Sequence, residues 1–250
     1  MCRYLAACLC VSVADARVSP AHTHKHERAR ARTHTHTHTI GAHADWHAQH
    51  AQQAAREGDN RSGGKRKREE AAAFAKRVAL LKKDEDMAEL VEGLRAHLDD
   101  LAAVLAACQA MAHLTEGEQA EKAAAIARAG GIEAAVAAGA KHSGSAQVAE
   151  QVCRVLRGLA YKSDDRKARI AGAGGIEAVV RVLGEHRGSA AVMEQACMAL
   201  FNIGWSDQAL QKRIKDAGAE PLVRAALAAP DATDGTKNWG QRLLDKLGKV

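Results

Sequence analysis

The chain repeats itself, and no other feature restricts its fold so tightly. Ala129-Gly130-Gly131-Ile132-Glu133-Ala134 recurs 44 residues later as Ala173-Gly174-Gly175-Ile176-Glu177-Ala178, and Ala217-Gly218-Ala219 follows after another 44. Ile126, Ile170 and Ile214 keep the same step, as do His142 and His186, Cys153 and Cys197, and Tyr161 and Trp205. With a one-residue adjustment, the segment from Met87 through Leu94 to His97 and the segment Cys108 to Leu114 join the series. A period of this length belongs to stacked supersecondary units, each unable to bury its apolar face alone.

The units read as helices. Cys197, Leu200 and Ile203 are spaced by three, like Cys153, Leu156 and Leu159 before them, which puts each set on one helical face. A second short helix opens at the Ile-Glu-Ala segment, with Ile176, Val179, Val180 and Leu183 inward, and Pro221 sits at the equivalent start in the last unit, where a missing N–H costs nothing. The segment before it begins at Ser163 or Ser206, good N-caps, or at Thr115, which forms a capping box with Glu118. Paired glycines end that segment. Three helices per unit follow, and the 56 alanines suit short helices packed closely.

The runs Ala173 to Leu183 (AGGIEAVVRVL) and Glu194 to Ile203 (EQACMALFNI) resemble the armadillo repeat of the catenins and importin-α, over about 165 residues from Met87 to the end. The resemblance implies an all-α, right-handed armadillo-type solenoid. About four repeats are expected, starting at Met87, Ile132, Ile176 and Glu220 by their second helices, with a helix over 69–86 in front and the fourth unit truncated. It further implies a protein-interaction scaffold whose third helices line a groove for an extended peptide or protein partner.

In the best-matched unit that helix is expected over Ala191 to Gly204. Its exposed stripe would be Gln195, Met198, Asn202 and Trp205, preceded one repeat earlier by Gln151, Arg154, Gly158 and Tyr161, and before that by Gln109 and His113. Asn202 stands where the family places an asparagine that bonds a bound peptide's backbone; the alternative is a helix-end residue bonding its own loop. His113, Gly158 and Lys246 occupy that place in the other units, and Gln109, Arg154, Met198 and Arg242 stand where importin-α carries tryptophan. The ladder that grips basic localisation signals is therefore absent, which argues against an import receptor. Tyr161 and Trp205 are expected to pack at repeat junctions.

Other chemistry is not indicated. The equivalent histidines His97, His142 and His186 would lie about 8 to 10 Å apart, too far to share an ion, and read as caps of helix C-termini. No metalloprotease, phosphate-loop or nucleophile-elbow motif occurs, Cys108, Cys153 and Cys197 fall on core positions, and no catalytic residue, metal or cofactor is assigned.

The net charge of +6 is localised. Residues 69–250 hold 24 Lys/Arg and 25 Asp/Glu, so the basicity lies in residues 1–64 and in Lys65, Arg66, Lys67 and Arg68. The near-neutral array is not expected to wrap nucleic acid; the basic cluster supplies the alternative reading, a nuclear-targeted or nucleic-acid-associated adaptor. The domains are thus 1–64, low-complexity and His/Arg-rich; 65–86, basic cluster and N-terminal helix; and 87–250, repeats. The alternation Thr33 to Thr39 is what a CA tract encodes, and such a segment is expected to be disordered. Residues 1–16 have the form of a secretory or organellar targeting peptide, against which the core-like cysteines point to cytoplasm or nucleus. No run of eighteen uncharged apolar residues exists to span a membrane, and the array is either short or a piece of a longer one.

Overall fold

The computed structural model describes residues 63–78, 86–117 and 119–250, and every regular element among them is a helix. The expectations for residues 1–62, targeting peptide and histidine tract included, lie outside the described residues, as does Glu118. The helices fall into four sets of three: α1 (63–78), α2 (Asp86–Ala96) and α3 (Leu101–Thr115); α4 (Ala120–Arg128), α5 (Gly131–Lys141) and α6 (Ala146–Ala160); α7 (Asp164–Gly172), α8 (Gly175–Glu185) and α9 (Ala190–Ile203); α10 (Gln208–Asp216), α11 (Ala219–Ala228) and α12 (Asp234–Leu247). The fourth unit is not truncated, because α12 has the same 14 residues as α9.

Each third helix starts at a side-chain cap that recurs with the period. Asp100, Ser145, Ser189 and Thr233 accept from the backbone N–H three residues on, which sets the α9 start one residue before the expected Ala191. Among first helices Ser163 caps α7 as expected, but Asp207 and not Ser206 caps α10, its carboxylate taking two backbone N–H groups where a hydroxyl would take one. The capping box at Thr115 does not form: Thr115 is the buried last residue of α3, its hydroxyl donates to the Met111 and Ala112 carbonyls, and Gln119 precedes α4. Pro221 is the third residue of α11, still in the first turn where no intrahelical donor is lost.

Between first and second helix the chain turns through a left-handed glycine in three units, Gly130 at φ 84°, Gly174 at 78° and Gly218 at 84°. The isoleucine of the preceding helix (Ile126, Ile170, Ile214) is fully buried under the turn. Third helices stack on one another in the order α3, α6, α9, α12, so α6 and α9 are covered on both sides, and Leu156, Leu159 and Leu200 have no exposed surface. Cys108, Cys153 and Cys197 lie in this layer, where burial pushes their thiols upward, Cys108 and Cys197 to about 12. They behave as small apolar side chains.

Polar links tie each unit to the one before. His142 and His186 donate Nε2–H to the carbonyls of Leu98 and Ser143 at 2.8 and 2.7 Å, so they cap the loop of the preceding unit and not their own helix; His97 stacks on Phe74 instead. Arg169 meets Glu133, and Arg213 meets Glu177, each at 2.8 Å and each pair 44 residues from the other. These pairs are exposed and fix spacing more than they add stability.

Unfolding in urea is expected to separate these contributions. Leu156→Ala should cost about 2–5 kcal/mol through a buried cavity. Gly174→Ala should cost about 1–2 kcal/mol for a left-handed β-carbon, whereas Lys162→Gly should stabilise, since Lys162 is held at φ 50°.

Candidate functional site

The face of α3, α6 and α9 turned away from the second helices carries most of the sequence-predicted stripe. Gln109 and His113 are exposed, and Arg154, Gln195, Met198 and Asn202 are half-buried. Gln151 and Gly158 are buried and leave the stripe. Gly158 is there because Thr115 packs against it: a β-carbon would sit 2.4 Å from the Thr115 hydroxyl and 2.8 Å from its carbonyl. No asparagine could occupy that place without separating α3 from α6.

One carboxylate organises the centre of this face. Glu116, just past the end of α3, accepts from Arg154 Nε at 3.2 Å and again from Arg154 Nη2, and from Arg157 Nη2 at 3.3 Å; His113 Nδ1 lies 3.6 Å from its other oxygen. Burial raises the Glu116 pKa, but the Arg154 hydrogen bonds and the charges of Arg154, Arg157 and His113 outweigh it and hold the carboxyl below the usual glutamate range. Arg157 also donates to Gln195 Oε1 at 2.9 Å, while Asn202 Nδ2 donates to the Arg157 carbonyl at 3.2 Å. The Asn202 amide thus staples α9 to α6 and does not bond its own loop.

Beyond Asn202 the face opens into a cavity of about 520 Å³ between the C-terminal ends of α6 and α9 and the middle of α12. Tyr161, Phe201, Trp205 and Trp239 line it, and they are all the phenylalanine, tyrosine and tryptophan of residues 86–250. Phe201 is the hub, 5.0 Å from Trp205 edge-on and 5.3 Å from Trp239. Tyr161 and Trp205, expected to pack at repeat junctions, stand just past the ends of α6 and α9 and are 40% and 51% exposed. Cations sit on the rings: Arg242 is 5.0 Å from the Trp239 centroid, Lys246 4.6 Å from Trp205 and Lys162 5.1 Å from Tyr161. Lys167, its side chain 5% exposed, reaches Asp164 at 2.9 Å and Ser206 at 3.2 Å on the wall of the cavity.

No protein-family model matches the sequence, and no curated protein matches it. Among solved structures, an engineered protein 26% identical aligns with 66% of this chain and 64% of its own length at a TM-score of 0.58, so this chain spans less than two thirds of it. A designed armadillo repeat protein, 21% identical, aligns over 71% of this chain and 74% of its own at 0.57. Another, solved in complex with the peptide (KR)4, is 18% identical and aligns over 71% and 73% at 0.56. The fold is armadillo-type.

In this armadillo-type array the period could have located two aromatic residues that the stripe lacked. Trp239 stands 44 residues after Gln195, and Phe201 stands 44 after Arg157; reading the fourth unit as truncated hid the first, and taking only the expected exposed positions hid the second. Glu116, in the turn between units, carries no such signal. The basic cluster lies in α1 and not ahead of it, fully exposed, with Lys65 and Arg66 paired to Glu69 and Glu70 at 3.8 and 3.3 Å. Among the described residues no group of His, Cys, Asp and Glu is placed to hold a metal ion, and no single helix is long and apolar enough to cross a membrane.

A depressed glutamate contributes stability above its unfolded pKa, and the contribution disappears as pH falls through the folded value. Glu116→Gln should therefore be less stable than the native chain at pH 7, and the gap should close as urea unfolding is repeated from about pH 4.5 downward. A gap independent of pH would show that Glu116 acts through packing alone.

Proposed function

We propose that this protein is an interaction scaffold that holds an extended segment of a partner protein along the face formed by α3, α6, α9 and α12. The observation that carries this reading is the gathering of Tyr161, Phe201, Trp205 and Trp239 into one half-open cavity on that face. Large aromatic side chains dominate binding energetics when they line a pocket that a partner can fill. An alanine-rich chain that leaves a tyrosine and a tryptophan about half exposed on the walls of one cavity presents an anchor site.

The designed armadillo proteins of the same fold support the reading in kind: one is solved with a bound peptide, and another is described as computationally designed for modular peptide recognition. The polar residues add a second element. Gln109 and His113 are exposed, and Arg154, Gln195 and Met198 are half-buried, so they can meet a backbone or side chains arriving across the groove. Arg157, Asn202 and Glu116 hold the helices beneath in register. No catalytic step is assigned to this face, and the partner implied is a protein or peptide.

Peptides selected from a displayed random library on the full chain should lose at least about tenfold in affinity when tested on Trp205→Ala and on Trp239→Ala, with a smaller loss for Met198→Ala. Selected peptides that bind both tryptophan variants as tightly as the native chain would overturn the assignment of the groove.

A further inference from the structure

The charge around the aromatic cavity points to the chemistry of its occupant. The main cavity continues at one end into a second, sharing Tyr161, Asn202 and Trp239, and at the other into a third, sharing Phe201, Trp205 and Arg242. Six cations line the three, against three carboxylates. Two of those carboxylates are committed, Glu116 to Arg154 and Arg157 and Asp164 to Lys167. Among the described residues neither Arg242 nor Lys246 is paired with a carboxylate; each lies over a tryptophan face, and Lys246 also donates to the Trp205 carbonyl at 3.2 Å.

That arrangement disfavours a cationic ligand twice. The electron-rich ring faces that would attract an ammonium or guanidinium are already covered by the chain's own cations, and the rim would repel a second positive charge. It favours the reverse: an apolar side chain in the cavity, edge-on to Phe201 and the indoles, with carboxylates on either side meeting Arg242 and Lys246. The chain's own first 64 residues, net +3, have the wrong sign to be the occupant.

Resting on the scaffold reading above, we infer that the site recognises an acidic segment carrying one large aromatic side chain, so that its preference is opposite in charge to the (KR)4 peptide held by the designed armadillo protein. The residues that set this preference are Arg242 and Lys246, and the residues that hold the anchor are Trp205, Trp239 and Tyr161.

The test uses the full chain and three labelled synthetic peptides read by fluorescence anisotropy: Asp and Glu residues around one central Trp, the same peptide with Ala in place of Trp, and (KR)4. The first should bind, with affinity falling as salt is raised; the second should bind at least about tenfold more weakly, and (KR)4 should not bind. Arg242→Glu, at an exposed position, should weaken the acidic peptide at least about tenfold and admit the basic one, with Lys246→Glu as an independent second variant. Binding of (KR)4 as tight as that of the acidic peptide, or charge reversals without effect, would overturn the inference. The library selection tells the two readings apart: basic or neutral peptides that still require Trp205 and Trp239 leave the scaffold standing and remove only the charge preference. Peptides indifferent to both tryptophans remove both.

Discussion

Everything in this array depends on third helices burying one another. Each unit presents an apolar face that nothing within it can cover, and α6 reaches full burial of Leu156, Leu159 and Val155 only because α3 stands on one side and α9 on the other. Close approach is the condition. Alanine-rich surfaces and the bare Gly158 against Thr115 bring α6 onto α3, and the buried, neutral thiols of Cys108, Cys153 and Cys197 fill the same layer without demanding partners. The left-handed glycines set the direction in which the second helix leaves the first, and so where the third can begin.

The polar groups follow from that stack. A layer of helices leaves its end groups and its edge to be satisfied, and this chain does so with side chains that recur from unit to unit: across unit boundaries, histidines to the previous loop and arginines to the previous second helix, and within each unit, serine, threonine or aspartate at the third-helix start. The groove network differs. Glu116 with Arg154 and Arg157, and Asn202 with the Arg157 carbonyl, occur once, in the centre of the array. Repeating links encode the scaffold, and the unrepeated ones give this groove its own character.

That division explains what was legible in the sequence. Positions fixed by the period, such as Ile126, Ile170 and Ile214 in the core or Gly130, Gly174 and Gly218 in the turns, could be placed without coordinates, because identical surroundings demand identical residues. The groove could be placed as a set of helices but not as a set of contacts. Helical periodicity put Gly158 and Gln151 on the exposed stripe, yet both are buried, Gly158 by the approach of Thr115 of α3, a distance that no single-helix pattern contains. For Asn202 the pattern gave the helix and the groove face but not the bond from its Nδ2 to the Arg157 carbonyl, since that acceptor lies 45 residues away on α6. Trp239 lies on the 44-residue step from Gln195, in a fourth unit that its weaker repeat match makes look short.

The aromatic cavity is where the two kinds of residue meet, and its position follows from the packing rule that built the array. In the middle of α6 and α9, the third helices covered on both sides, valine, leucine and cysteine fill the buried places. The large rings gather just past the C-terminal ends of α6 and α9, at Tyr161 and Trp205, and on α12 at Trp239, where they line the cavity. Phe201 fills the inner part of that space and is 5% exposed; Tyr161 and Trp205 reach past it and stay open. If the rings served only to close the end of the layer, their burial would be expected to be complete, as it is for every leucine in α6 and α9. Their partial exposure beside ring-capping cations leaves a surface that an apolar, negatively flanked group would complement.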